Sequence, residues 1–312
     1  MQLTALSWNL FHGRDHPPDP ALFTWRSRLL RRTERNATHL QVNRDLLGEF
    51  SRLLAGAEWD VALLQECPPR WWGPLARACG AEAHGVLTAR NSLAPLRALA
   101  ARLNPDLIAS GEGGSNLTLV RGAFRCAFPP YEKGKAHRNG RGIAERRELA
   151  IRAGWPGRPG RRGWPERRTM ALTRIAGGTT SAAGAVGGTG DGLCVANLHA
   201  SAHRPELAAE DVLRAAVAAG EWAGDAPLLF GGDLNLRPAE SPAVFAELRE
   251  RFGLAAPTSP RAIDHLLARG LETVGSPRQW PPDQRELHED GLALRLSDHA
   301  PVEACFATLH GR

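Results

Sequence analysis

The chain has 312 residues, of which 43% are hydrophobic and 23% charged, which excludes a disordered, fibrous or disulfide-stapled miniature protein and leaves room for a substantial core. No run approaches the ~18 apolar residues of a membrane helix, and Met1 leads into Leu3-Thr4-Ala5-Leu6 without a leader's basic and apolar regions, so a cytoplasmic protein with no stable membrane insertion is expected. The net charge of +6 comes from 39 basic and 33 acidic residues, an excess that hints at polyanions but excludes nothing.

Leu3 to Asn9 alternates apolar and polar side chains and reads as a strand, broken by Phe11-His12-Gly13 and a Pro-rich stretch from Pro17 to Pro20. Gln41 to Leu54 places Val42, Leu46, Leu47, Phe50, Leu53 and Leu54 at helical spacing, with Gly56 as a stop. Val61-Ala62-Leu63-Leu64 reads as a buried strand ending at Gln65-Glu66 and closed by Pro68-Pro69. Further strands are predicted over Asn116 to Val120, Met170 to Ile175, Leu193 to His199, Pro227 to Gly231, Ala262 to Leu267 and Val302 to Phe306. Helices are predicted over Trp71 to Ala78, Pro205 to Glu221 and Pro242 to Phe252. Many short strands with few intervening helices suggest an α/β sandwich more than a doubly wound sheet. No linker divides the chain, so one domain over 1–312 is expected.

Two segments flanking the Met170 strand read as mobile insertions, 133–168 and the low-complexity stretch 177–190. The first holds 12 Lys and Arg against Glu145, Glu148 and Glu166, a local balance of +9, and leaves 27 basic against 30 acidic residues elsewhere. Lys133 and Lys135 are the only lysines; the Arg, Ala, Gly and Pro richness follows GC-rich coding and weakens any argument from charge alone. Cys67, Cys79, Cys126, Cys194 and Cys305 are scattered singly and read as reduced core thiols.

Polar residues able to bind metal or phosphate recur at predicted strand ends along the chain. They are Asn9 in LSWNL, Glu66 in LLQE, Asn197 and His199 in ANLHAS, Asp233 and Asn235 in GGDLN, Asp264 in AIDHLL, and Asp298 and His299 in SDHAPV. On these residues the sequence resembles the endonuclease/exonuclease/phosphatase superfamily, which includes DNase I, exonuclease III-type nucleases, sphingomyelinases and inositol polyphosphate 5-phosphatases. GDLN and SDH are weak alone; six motifs in family order from Asn9 to His299 are strong together.

The resemblance implies a four-layered α/β sandwich of the DNase I-like kind, two mixed β-sheets face to face with outer helices. It also implies hydrolysis of a phosphodiester by metal-activated water at a rim of loops. Mg²⁺, with Mn²⁺ able to substitute, suits one or two carboxylates plus an amide; Glu66 is the first choice of ligand, with Asn9 and Asp298. By the same resemblance Asp233 orients or deprotonates the water and Asn235 holds it or a phosphate oxygen. His299 contacts the scissile phosphate with Asp264 fixing its tautomer, and His199 is a second phosphate donor or the leaving-group acid. Asn116, Arg168 and Asn197 stand where the family contacts substrate. Repair nucleases of the family use an active-site tyrosine, and the single Tyr131, in a Pro-Pro-Tyr turn, argues against an abasic-site enzyme.

Each residue also has a plainer reading. Asp233 is ordinary turn chemistry in Gly-Asp-x-Asn, Glu66 could pair with one of many arginines, and His12, His16 and His203 read as solvated loop histidines. Cys67 beside Glu66 reads as packing rather than a nucleophile. The arginines of 133–168, with Trp155 and Trp164, either grip nucleic-acid phosphates and bases or form a solvated surface. DNA or RNA is therefore the favoured substrate of a monomeric enzyme, against a small-molecule or lipid-headgroup phosphodiester and, from another class, a silent binding platform.

Overall fold

A computed structural model of the chain describes residues 2–88, 93–108, 113–121, 142–152, 167–176, 192–255 and 259–308. Along β1 (Gln2–Asn9) Leu3 and Ala5 enter one apolar cluster while Leu6 and Trp8 enter another. This period-two alternation organises the molecule. The chain continues through α1 (Trp25–Leu30), the short strands β2 (Glu34–Arg35) and β3 (Leu40–Gln41), α2 (Leu47–Gly56), β4 (Val61–Gln65), α3 (Trp72–Cys79) and β5 (Ala81–Leu87). Next come α4 (Ala94–Leu103), α5 (Pro105–Ile108), β6 (Ser115–Arg121), β7 (Ile143–Arg152), β8 (Arg168–Ile175) and β9 (Leu193–His199). It ends with α6 (Pro205–Ala223), β10 (Leu228–Asp233), α7 (Pro242–Phe252), β11 (Asp264–Arg269), β12 (Leu271–Gln279), β13 (Glu286–Glu289), β14 (Leu292–Arg295) and β15 (Val302–Thr308).

Two mixed sheets result, ordered β12-β15-β1-β4-β6-β5 and β11-β10-β9-β8-β7. In the first only β1 and β4 run parallel, and in the second β9 and β10 do. Leu3, Ala5, Val61, Leu63, Val195, Leu229 and Leu266 fill the space between the sheets. Leu6, Trp8 and Leu64 pack outward with Phe50 of α2 and Leu75 of α3, and Phe230 and Leu198 pack outward with Val212 of α6 and Leu248 of α7. The molecule is thus the expected four-layered α/β sandwich with the DNase I-like arrangement of sheets.

Buried amides tie the sheets together. Gln65 Nε2 donates to Asn197 Oδ1 at 2.8 Å, and Asn197 Nδ2 donates to Leu117 O at 3.2 Å. On the same inner layer His84 of β5 shares a 2.8 Å hydrogen bond with Thr173 Oγ1 of β8. Gly232 has φ +126°, and a Cβ there would lie 2.0 Å from Leu198 O, so only glycine lets β10 run this close to β9.

The expected helix over Gln41 to Leu54 begins only at Leu47. Val42 N is taken by Asp15 Oδ2 at 3.0 Å and Gln41 pairs in β3, so this stretch of backbone bonds outside a helix. The expected insertion 133–168 contains a ten-residue strand, β7, at the edge of the second sheet. Its apolar Ile143, Leu149 and Ile151 pack into the clusters and its arginines find acids: Arg146 with Glu82 at 3.2 Å and Arg152 with Asp211 at 2.8 Å. Residues 133–141 and 153–166 of that segment, and all of 177–190, lie outside the described residues, as do Cys126, Tyr131, Trp155 and Trp164. Among the described residues no helix is long and apolar enough to cross a membrane.

Burial, reinforced by the charge of Arg146, pushes the His84 imidazole down to about 4. Because the unfolded chain then binds the proton more readily than the folded one, the contribution is complete above about pH 6.5 and is lost as pH falls toward 4. Denaturant midpoints across pH 4–7 should show this acid loss. In His84→Gln the slope should flatten by up to about 1.4 kcal/mol per pH unit, one proton's worth; an unchanged slope would refute the assignment.

Candidate active site

The inner apolar stripe of each strand turns polar at one rim. β1 runs Leu3, Ala5, Ser7, Asn9; β4 runs Val61, Leu63, Gln65; β9 runs Val195, Asn197, His199; β10 runs Leu229, Gly231, Asp233. Register does the rest: Asp233 is paired with His199 on one side and with Asp264 on the other, and Asn9 with Gln65 in the facing sheet. Neighbouring strands lie ~4.8 Å apart, so three separate motifs become one row.

That row is closely connected. Asp233, buried, accepts from Asn9 Nδ2 at 3.0 Å and from Asn235 N at 3.0 Å. His199 Nε2 lies 3.5 Å, and His299 Nε2 3.8 Å, from Asp233 Oδ2. His299 Nδ1 and Asp264 Oδ2 are 2.8 Å apart, the expected carboxylate–imidazole pair. His265, next to Asp264, instead contacts Leu236 O at 3.0 Å in the core. Asn235 donates Nδ2 to Ala200 O at 3.1 Å, which anchors the loop after β10 to the loop after β9.

Glu66 stands opposite, with His12 Nε2 at 3.2 Å and His199 Nε2 at 3.9 Å. Among the described residues its ion pairs are with these histidines, and none is with an arginine. Asp298 is exposed at the rim, its Oδ1 4.0 Å from His299 Nε2. The loop carrying it is held by Ser297 Oγ, which donates to Asn9 O at 2.6 Å, and by Arg285 Nη1, which donates to Ser297 O and His299 O at 2.9 Å each. Phe11, His12, Glu66, Asn235 and Ser297 all have φ between 47° and 61°, left-handed backbone that costs of order 1 kcal/mol or more at such side chains and concentrates at functional sites.

The charges oppose one another. Burial pushes Glu66 up, yet His12, His199, His299 and Arg14 together outweigh it and hold the carboxyl below its ordinary value. Burial and Asp264 push Asp233 up to about 7, against His299 and the Asn9 hydrogen bond. Burial and Arg168 hold His199 near 3, so it is neutral, while Asp264 and Asp233 overcome burial and raise His299 to about 10. A neutral His199 still offers one N–H, but no surplus proton. Burial drives the Cys67 thiol far up, in keeping with packing and not nucleophilic chemistry.

The remaining expected residues lie deeper. Asn197 is fully buried in the amide network between the sheets, and Asn116 Nδ2 donates to Thr169 O at 2.9 Å and to Asn197 O at 3.4 Å. Arg168 is buried beside His199. His12, read from sequence as a solvated loop residue, is instead part of the site. The signal was its place three residues after Asn9, in a turn where Gly13, at φ +76°, leaves space that the Trp71 ring fills.

Two donor sets could meet a cation. Asp233, Asp264 and His299 offer atoms within 4.8 Å of one another, but the 2.8 Å contact between His299 and Asp264 already engages two of the three. Glu66, Asn9 and Asp298 offer oxygen alone, the donor type that hard divalent ions prefer, and Glu66 keeps its charge despite burial. By donor type that set suits a hard divalent cation.

A family model described as "Endonuclease/Exonuclease/phosphatase family" matches residues 6–299. The chain belongs to the endonuclease/exonuclease/phosphatase family. Members of this family are hydrolytic phosphoesterases, in general dependent on a divalent metal. The fold is similar to that of an endonuclease/exonuclease/phosphatase family protein from Bacteroides thetaiotaomicron, at TM-score 0.59 and 13% identity, covering 100% of this chain and 99% of that one. It is similar also to a mannosyl-6-phosphatase from the same organism, at TM-score 0.56 and 14% identity over 98% and 99% of the two chains. A third similar structure is the human nocturnin catalytic domain with bound sulfate, at TM-score 0.56 and 12% identity over 99% and 95%. No curated protein matches the chain in sequence.

Asp264 Oδ2 holds His299 Nδ1 at 2.8 Å, so Asp264→Asn should lower kcat on bis-p-nitrophenyl phosphate by about 10²–10⁴-fold with little change in KM. Full kcat in that variant would refute the dyad.

Proposed function

We propose that the protein is a Mg²⁺-dependent phosphodiester hydrolase, a single catalytic domain acting as a monomer, with Mn²⁺ able to replace Mg²⁺. The observation that carries this reading is the row His199–Asp233–His299–Asp264, linked at 2.8–3.8 Å and facing the ionised Glu66. Asn9, Glu66 and Asp298 would hold the cation, which when bound neutralises phosphoryl oxygens and makes water more acidic.

The chain's own groups supply the rest. Asp233, fixed by Asn9 and by the Asn235 amide, takes the proton of the attacking water, whose oxygen bonds to phosphorus as the ester P–O bond breaks in line. His299, steadied by Asp264, and the N–H of neutral His199 donate to phosphate oxygens as charge builds on them. The departing oxygen takes its proton from solvent, since His199 holds none to spare.

The substrate divides two readings. DNA or RNA follows from the arginines of 133–168. Within that segment, however, Arg146, Arg152 and Arg167 are already paired with Glu82, Asp211 and Glu148, which favours the second reading, a smaller phosphodiester such as a lipid headgroup. Hydrolysis of a panel of duplex DNA, RNA, sphingomyelin and inositol phosphates with Mg²⁺ separates them.

Asp233→Asn should cut turnover of bis-p-nitrophenyl phosphate by about 10³-fold or more, and EDTA should abolish it until Mg²⁺ is restored. Glu66→Gln should remove the Mg²⁺-induced rise in melting temperature, a reading independent of turnover. Metal-independent hydrolysis, or an active Asp233→Asn variant, would overturn the mechanism.

A further inference from the structure

The leucines of α4 point the wrong way for a core helix. Leu96, Leu99 and Leu103 recur at i, i+3 and i+7 and so share one face, and they are 64%, 55% and 53% exposed, whereas Ala101 on the opposite face is fully buried. A surface helix of a globular protein turns such a stripe inward. Beside it α1 exposes Trp25 and Leu29 at 60% each and Leu30 at 55%, and buries only Ser27. The two helices are tied together where α4 ends: Asn104, between α4 and α5, donates to Arg28 O at 2.8 Å, and Asn43 Nδ2 bridges Ser27 O, Arg28 O and Asn104 Oδ1 at 2.7–3.1 Å.

Charge indicates what covers it. Residues 21–33 and 93–105 contain Arg26, Arg28, Arg31, Arg32, Arg97 and Arg102 and no Asp or Glu. In contrast to the arginines of β7, Arg26, Arg28, Arg31, Arg32 and Arg102 form no ion pair among the described residues. Exposed leucines and a tryptophan bordered by arginines are the composition of a bilayer interface binder, the apolar chains entering the acyl boundary and the guanidinium groups meeting lipid phosphates. A nucleic acid would satisfy the arginines and leave the leucines in water, and a second copy would set like charges against each other.

We propose that the α1–α4–α5 face docks on a membrane surface bearing anionic lipids, with the mouth of the site beside the contact. An aromatic row leads from one to the other: Phe11, next to His12, lies 5.6 Å from His16, and His16 lies 5.3 Å from Phe23 at the entry to α1. Arg14, stacked 3.7 Å over Phe11, feels Asp106 of α5 as well as Glu66 and Asp298. The docking is peripheral. It rests on the phosphoesterase reading for what the site does there, and not for the binding itself.

The test is co-sedimentation of the full chain with vesicles of phosphatidylcholine alone and of phosphatidylcholine with phosphatidylglycerol. Binding is expected on the mixed vesicles, weakened by salt, and weaker by about tenfold or more in Leu96→Gln/Leu99→Gln/Leu103→Gln and in Arg26→Glu/Arg28→Glu. Both variants should keep the wild-type melting temperature and turnover of soluble bis-p-nitrophenyl phosphate. No sedimentation with mixed vesicles, or equal sedimentation with phosphatidylcholine alone, overturns the proposal. So does vesicle-independent dimerisation lost in the leucine variant, or duplex DNA binding lost in the arginine variant without vesicle binding. Asp233→Asn should bind vesicles like wild type; inactive wild type that still binds would sink the phosphoesterase reading alone.

Discussion

The hydrogen bond from Asn9 Nδ2 to Asp233 Oδ2, 3.0 Å long and joining residues 224 apart in sequence, crosses from one sheet to the other at the level where the chemistry sits. By itself such a bond contributes about 1 kcal/mol net. Its importance lies in what must already be in place: β1 in register with β4, β10 in register with β9, and both sheets facing through the same parity of residues. A one-residue slip of β1 would turn Asn9 outward and carry Leu6 and Trp8 into the space between the sheets. The apolar core therefore specifies the polar site, because the same alternation that buries Leu3, Ala5, Val61 and Leu229 delivers Asn9, Gln65 and Asp233 to the inner rim.

The deeper amides make that alignment firm. Gln65, Asn197, Asn116 and Thr118 lie fully buried between the sheets, where an unpaired amide would cost 1–3 kcal/mol or so, and all but Asn116 Oδ1 pair with one another or with the facing backbone. This explains why Asn197 occurs in a functional motif without reaching the rim. It fixes the separation of β4 and β9, and so the distance between Glu66 and His199. The left-handed residues at the rim have the same logic: strain at Glu66, Asn235 and Ser297 is tolerated because neighbouring hydrogen bonds over-determine those loops.

Legibility followed the strength of the period-two signal. β1, β4, β9 and β10 carry strong apolar residues up to a polar end, so both strands and site residues could be read from sequence, and α7 over Pro242–Phe252 was marked by its spacing. β5, AEAHGVL, alternates small or polar residues whose partners are supplied across the sandwich, as His84 is by Thr173. The edge strand β7 is rich in charge, the edge strand β12 carries Gly275-Ser276-Pro277, and both are largely exposed, which reads as loop until the partner strand is known. His12 was hidden for a different reason: its position comes from a turn packed on Trp71, a contact 58 residues away that no local pattern encodes.

Charge acquires a different meaning once it is placed. The local excess at 133–168 looked like a grip for polyanions, yet its part in β7 is spent on Glu82, Glu210 and Asp211 within the fold. The arginines flanking the leucines of α1 and α4 attract no notice in the net charge, because they are diluted by the carboxylates gathered at the site. A site lined by Glu66, Asp233, Asp264 and Asp298 repels a phosphate until a cation offsets it, so attraction of an anionic substrate must come from positive charge outside that carboxylate cluster. Arg14, between the site carboxylates and Asp106, stands where the acidic interior gives way to the basic α1–α4 face. Separating the two signs lets an anionic surface approach the rim while the carboxylates stay available for the metal.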